Sequence, residues 1–235
     1  MQRVSRRLVH VVLFSLLLAA SAQAGFTTYR GKVLKVVDGD TIRFLPDNAP
    51  DDGGKAFWSI RMISTDTAAT HLPGKGGPYS QGYWGEQGHD QLAAIVAVGE
   101  TVEVDDYGTD HYGRHLGRVF KRGNVDVNLE MVKSGWASLY VICDDKSCDE
   151  NVQYREACDN AMARGLGIFN PENRLPLLPF IFRSIHQNRP LAKLVGNVRT
   201  KRYYAPTEYG KVPLCDRTFF MTPTDARREG YTPAN

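Results

Sequence analysis

An Asp-Gly pair set between two β-branched runs constrains this chain more than any other feature. Val33-Leu34-Lys35-Val36-Val37 leads into Asp38-Gly39-Asp40-Thr41, and Ile42-Arg43-Phe44 resumes the apolar run. Such a pair is a strong short-range hairpin signal, because Gly tolerates the positive φ of a tight turn. The turn sets Asp40 at the mouth of the second strand. Phe57 to Ile63 alternates as a half-buried strand and runs on to Asp66-Thr67. Two carboxylates delivered at neighbouring strand ends make a hard-oxygen pocket suited to Ca²⁺ or Mg²⁺. Arg61 in the same strand can reach an anion held there, and metal-assisted phosphoryl chemistry uses these parts. A polar turn and a surface ion pair would use either stretch alone equally well.

Further along, period-two runs at Phe26 to Val37, Thr41 to Leu45, Ala56 to Ser64, Glu100 to Val104 and Arg114 to Lys121 predict five strands. Helical spacing covers Gln81 to Val98, Val125 to Lys133 and Asp149 to Arg164, the last stopped by Gly165. Trp136 to Ile142 reads as extended. Five strands with helices after the third and the fifth match an α+β fold built on an OB-type five-stranded barrel with three helices. Pro46 to Lys55 is a polar loop. His71 to Tyr79 is rich in Gly and Pro and reads as a flap beside the site; it lacks the Gly-Lys-Ser/Thr ending of a phosphate loop. Pro171, Pro176, Pro179 and Pro190 mark a linker that packs on something, and Val195 opens a second small unit. The division is thus 1–24, 25–169, 170–194 and 195–235.

Residues 1–24 carry Arg3, Arg6 and Arg7, an apolar run from Leu8 to Ala20, and Ala22-Gln23-Ala24 at a cleavage site. They predict a signal peptide for the general secretory route, too short in its apolar part to span a membrane comfortably. The expectation is an exported protein, periplasmic or extracellular, monomeric and without stable membrane association after cleavage. Residues 25–170 hold 15 Lys+Arg against 21 Asp+Glu, a balance of −6, and residues 171–235 hold 11 against 5, a balance of +6. An acidic half works against binding a polyanion unless the basic tail faces the same groove. Cys143, Cys148, Cys158 and Cys215 suggest disulfides in an exported chain, with three connectivities open and one local bridge expected. Metal binding by the cysteines is the alternative.

Three ordered motifs carry a resemblance. D-G-D-T at Asp38 to Thr41, R-x-x-x-x-D-T at Arg61 to Thr67 and D-x-Y-G-R at Asp110 to Arg114 resemble the staphylococcal nuclease (thermonuclease-like) family over roughly Gly25 to Phe169. The resemblance implies the OB barrel, Ca²⁺ on Asp40, Asp66 and the Thr67 carbonyl, and Arg61 and Arg114 on the scissile phosphate of DNA or RNA. Guanidinium forks and a divalent cation stabilise the charge that builds on phosphate oxygens during attack.

One residue departs from the pattern. The family's general-base glutamate falls at Ala69, in Asp66-Thr67-Ala68-Ala69-Thr70, and alanine accepts no proton. His71 is the stand-in base candidate, Glu86 a weaker one, and His89, His111 and His115 read as surface or turn residues. Residues 195–235 are similar to the small zinc module of Ada-type repair proteins, but Cys215 is the one thiol in the unit. One cysteine makes no structural zinc site, so the unit reads as a metal-free relic held by Tyr203, Tyr204, Phe219 and Phe220. The function expected is a Ca²⁺-dependent phosphodiesterase with weakened activity. The alternative is a non-hydrolytic nucleic-acid or phosphate-ligand binding protein of the cell envelope.

Overall fold

The computed structural model describes residues 25–48, 57–74, 77–143, 148 and 152–234; the predicted signal peptide and most of the Pro46 to Lys55 loop lie outside them. Strands β1 (Thr27–Asp38), β2 (Thr41–Pro46) and β3 (Trp58–Met62) form an antiparallel meander. Alternate side chains turn inward, so Val33, Ile42, Phe44 and Ile60 are fully buried. Burial of each such side chain contributes about 1.5–3 kcal/mol.

The strand expected to run unbroken from Ala56 to Ser64 breaks at Ile63, where Ser64 takes a φ of 60°. The kink is held from inside. Asn128, fully buried, donates its amide to Ile63 O at 2.9 Å and Gly117 O at 3.1 Å. Beyond it, β4 (Ser64–Thr67) leaves the barrel and pairs elsewhere. A short hairpin follows, β5 (Leu72–Gly74) with β6 (Gly77–Tyr79), and then helix α1 (Tyr83–Ile95).

Strand β7 (Thr101–Thr109) runs five residues past the expected Val104 and bulges between Asp106 and Thr109 against β8 (His115–Lys121). β7 lies on β1, and β8 pairs in parallel with β3, Ile60 opposite His115 and Met62 opposite Gly117. That last pairing closes a five-stranded barrel. Strand β9 (Val125–Asp126) leads into α2 (Val127–Lys133), whose first turn is capped by Asp126 accepting from Leu129 N. β10 (Ala137–Cys143) and α3 (Val152–Ala163) follow. No helix among the described residues is long and apolar enough to cross a membrane.

The Pro-rich segment contains a helix, α4 (Pro179–His186), with Pro179 in its first turn, where its missing N–H costs nothing. After it come β11 (Leu194–Asn197), β12 (Arg202–Tyr204), β13 (Arg217–Phe220), α5 (Pro223–Arg228) and β14 (Thr232–Pro233). They continue one sheet in the order β14-β12-β11-β13-β10-β4. β13 runs parallel to β10, and a disulfide ties Cys158 of α3 to Cys215. A second disulfide joins Cys143 to Cys148, the local bridge that the spacing suggested. Phe220 meets Tyr231 edge-on at 4.7 Å, and Phe219 packs with Val195 and Val212.

Candidate active site

The D-G-D-T turn delivers its carboxylates by close approach. Gly39 does not take a positive φ, contrary to the hairpin expectation. Instead a Cβ at Gly39 would lie 2.9 Å from the Thr67 side chain, so the glycine lets the turn press against β4. Thr67 N then donates to Asp40 Oδ2 at 2.9 Å, and the Asp40 amide donates to Asp38 Oδ1 at 3.1 Å. Asp38, outside the expected site set, thus joins it. The two neighbouring carboxylates separate in basicity. Burial, reinforced by the charge of Asp40, pushes the Asp38 carboxyl up to about 7. Asp40, despite its own burial, is held below the usual carboxylate range by Arg61 and the Thr67 amide.

Arg61 lies between the two expected cation-holding carboxylates. Its Nη2 is 3.0 Å from Asp40 Oδ2 and 3.2 Å from Asp66 Oδ1, and its Nη1 donates to Met62 O and Thr65 O at 2.6 and 3.0 Å. The kink at Ile63 supplies those two carbonyls. Asp66 is fully buried, and its backbone oxygen accepts from Ser138 Oγ at 3.1 Å. A second guanidinium reaches the same Oδ1: Arg183 of α4, at 2.7 Å. The sequence reading missed Arg183 because it lies in the presumed linker.

Arg114 follows a tight turn. Gly113 takes a φ of 73°, and Asp110 Oδ1 accepts the amides of Tyr112 and Arg114 at 2.9 and 3.0 Å. Asp110 Oδ2 takes the guanidinium side-on, from Nε at 2.9 Å and Nη2 at 2.8 Å. Burial raises the Asp110 carboxyl, but these hydrogen bonds outweigh it and hold the group below its usual range. The Arg114 side chain keeps 34% exposure toward the cleft.

Ala69, at the expected base position, faces the same cleft. Gln81 fixes it, as Oε1 accepts from Ala69 N at 3.1 Å and the Gln81 amide donates to Ala69 O at 2.9 Å. His71 is exposed and also lines the cleft, whereas Glu86 sits in the first turn of α1 away from the lining. His115 corrects the surface reading: it is buried, stacked on Trp58 at 4.0 Å, with Nδ1 3.0 Å from Asp106 Oδ2. His89 pairs with Asp90 and His111 packs on Tyr112.

The cleft has a volume of about 1030 Å³. Asp38, Asp40, Arg61, Ala69, His71 and Arg114 all line it, while Asp66 lies beneath, under its two arginines. No group of three or more His, Cys, Asp or Glu side chains gathered as for a metal ion occurs among the described residues. A hard cation nevertheless fits the donors present. They are oxygens throughout, and Asp66 Oδ2 is buried with no hydrogen-bond partner, an acceptor left open.

A closed five-stranded barrel that gathers three carboxylate and arginine motifs at one cleft defines an OB-fold nuclease-like domain. Residues 59–171 match the model of the staphylococcal nuclease homologue family, and the chain belongs to that family. It is 33% identical over 206 residues to "Endonuclease YhcR" of Bacillus subtilis (strain 168), a match covering 86% of this chain and 16% of that protein. It is 34% identical over 110 residues to an "Uncharacterized endonuclease" of Escherichia coli O157:H7, across 47% of this chain and 60% of that one. It is also 30% identical over 167 residues to "Uncharacterized protein MJ1439" of Methanocaldococcus jannaschii, covering 62% of this chain and 73% of that protein. The chain therefore spans 16% and 60% of the lengths of the two proteins named endonuclease.

Proposed function

We propose that this chain is an exported, Ca²⁺-dependent phosphodiesterase acting on DNA or RNA, slowed by the loss of the family's general base. The observation that carries the reading is the convergence of Asp40, Arg61, Arg114 and Ala69 on one cleft, with Asp66 directly beneath. Asp40, Asp66 and Thr67 would hold the cation. When bound, it would add positive charge next to a phosphate and lower the cost of building negative charge on its oxygens.

The chain's own residues supply the rest. Arg61 and Arg114 offer guanidinium donors to the scissile phosphate, pre-set by Asp66 and Asp110 so that little reorganisation is needed as charge develops. Asp110 Oδ2 fixes the Arg114 fork through a hydrogen bond from Nε and an ion pair with Nη2, which aims it. Position 69 presents a methyl group where a proton acceptor is expected. General-base catalysis is worth about 10²–10⁴-fold, so water attack proceeds without that factor unless His71, on the cleft wall, takes the proton.

Ala69 also supports a second reading, a protein that binds nucleic acid without cutting it. Incubation of the purified chain with plasmid and with single-stranded DNA, in Ca²⁺ or in chelator, separates the two. Slow, chelator-sensitive nicking supports the phosphodiesterase. Retention of intact DNA without cleavage supports the binding protein, and neither binding nor cleavage overturns both.

A further inference from the structure

Helix α4 lies beyond the matched family domain yet reaches into its cleft. Phe182, buried, anchors it. Gln187 donates to Pro73 O of the flap at 3.3 Å, and His186 packs on Tyr79 at 4.2 Å. Arg189 donates to the hydroxyl of Tyr112, in the turn that carries Arg114. The helix is therefore held between the flap and the D-x-Y-G-R turn, with Arg183 pointing at Asp66.

Arg61 Nη2 is shared between Asp40 and Asp66, so Arg183 brings the second positive charge to this pair of carboxylates. Arg183 also shares the cleft wall with Arg61 and Lys193, which gathers three cationic side chains there. Burial above all, and after it the nearby Arg183 guanidinium, push the Lys193 ammonium below its ordinary value, against the pull of Asp66. Arg183 keeps 29% side-chain exposure and lines the cleft, as Lys193 does. Crowded cations on an open wall are stabilised when an anion enters between them. The post-domain segment also carries the basic surplus, while residues 25–170 are acidic.

We propose that Arg183 is a substrate-contacting residue that pairs with Arg61 in a two-guanidinium clamp on a backbone phosphate of single-stranded nucleic acid. The proposal rests on the phosphodiester reading of this cleft. Both arms are anchored on one oxygen, Asp66 Oδ1, and Lys193 adds charge beside them.

The test uses the full exported chain and a short fluorescein-labelled single-stranded oligodeoxynucleotide, read by fluorescence anisotropy in chelator over a salt series. Arg183→Ala is expected to weaken binding about tenfold or more and to reduce the slope of log K against log salt by about 0.7, one phosphate contact on a single strand. Arg183→Lys keeps the ion pair and the fold, and is expected to retain the slope while losing part of the affinity. Arg30→Ala removes an equal charge from an exposed pair with Asp47 outside the cleft and is expected to match the parent. Parental affinity and slope in Arg183→Ala would overturn the proposal, leaving Arg183 a structural partner of Asp66. Tighter binding with faster cleavage would overturn it too, making Arg183 a plug. A parent that neither binds nor cuts nucleic acid defeats the phosphodiester reading as well, whereas an active parent with indifferent Arg183 variants defeats this proposal alone.

Discussion

Gln81 clasps Ala69 from both sides, its side-chain oxygen 3.1 Å from the Ala69 amide and its own amide 2.9 Å from the Ala69 carbonyl. The same side chain donates to Leu177 O at 2.8 Å, tying the loop to the segment before α4. Both backbone groups of position 69 are thus fixed, and the residue lines the cleft. Gln81→Ala should lower stability by about 1–3 kcal/mol, the cost of leaving buried partners unmade. Urea unfolding checks this as a fall in midpoint at unchanged slope.

The pair of Asp66 with two guanidiniums sets the next expectation. Asp66→Ala removes the open Oδ2 and the anchor of Arg183 together. It should abolish Ca²⁺ binding measured by calorimetry, and stability should fall by about 3–5 kcal/mol, as when one member of a buried ion pair is lost. Equal heats for variant and parent would contradict the proposed cation pocket.

Acid sensitivity should trace partly to Asp110. Its carboxyl is depressed in the folded chain. A depressed group contributes stability that is complete above the unfolded value, about 3.9 for Asp, and is lost as pH falls through the folded value. Asp110→Asn should therefore melt below the parent at pH 7, and the two melting temperatures should converge as the pH is lowered below about 4. Parallel curves across that range would remove Asp110 from the account.

The two disulfides should differ in weight. Cys158–Cys215 closes a separation of 57 residues and Cys143–Cys148 one of 5. Loop-closure entropy assigns about 4 kcal/mol to the first and about 2 kcal/mol to the second. Denaturant unfolding of the two double Cys→Ala variants should rank them in that order.

Much of this architecture was legible locally. The hairpin around Asp38 to Thr41, the strand through Arg61 and the helix ending at Gly165 all announce themselves through period and turn residues. The convergence of three motifs was legible as a resemblance and not from spacing. What stayed hidden depends on distant partners. Gly39 reads as a turn glycine, yet its need comes from Thr67, far along the chain. The parallel pairing of β13 with β10 joins segments whose own sequences say nothing of each other. His115 looks like a turn residue until β8 is seen to close on β3 beside Trp58. Arg183 was hidden by four surrounding prolines that read as linker, although Pro179 at a helix start was a signal available to find α4. The truncation after Asn170 that the charge asymmetry invites would remove β13 and the partner of Cys158, so single-residue variants are the sounder probe.

The central claim is that this cleft retains charge stabilisation and lacks only water activation. The most direct measurement is the single-turnover cleavage rate of an oligonucleotide by the parent and by Ala69→Glu, each with Ca²⁺ and with chelator. Ala68→Pro, Ala69→Glu should be measured beside them, in case the buried Ala68 leaves the loop too loose to aim a carboxylate. The account predicts a rise of up to about 10²–10⁴-fold, dependent on Ca²⁺ and abolished when Asp40 is also replaced. Rates for both variants equal to the parent's in Ca²⁺ would contradict it, and the cleft would then be one that holds nucleic acid without cutting it.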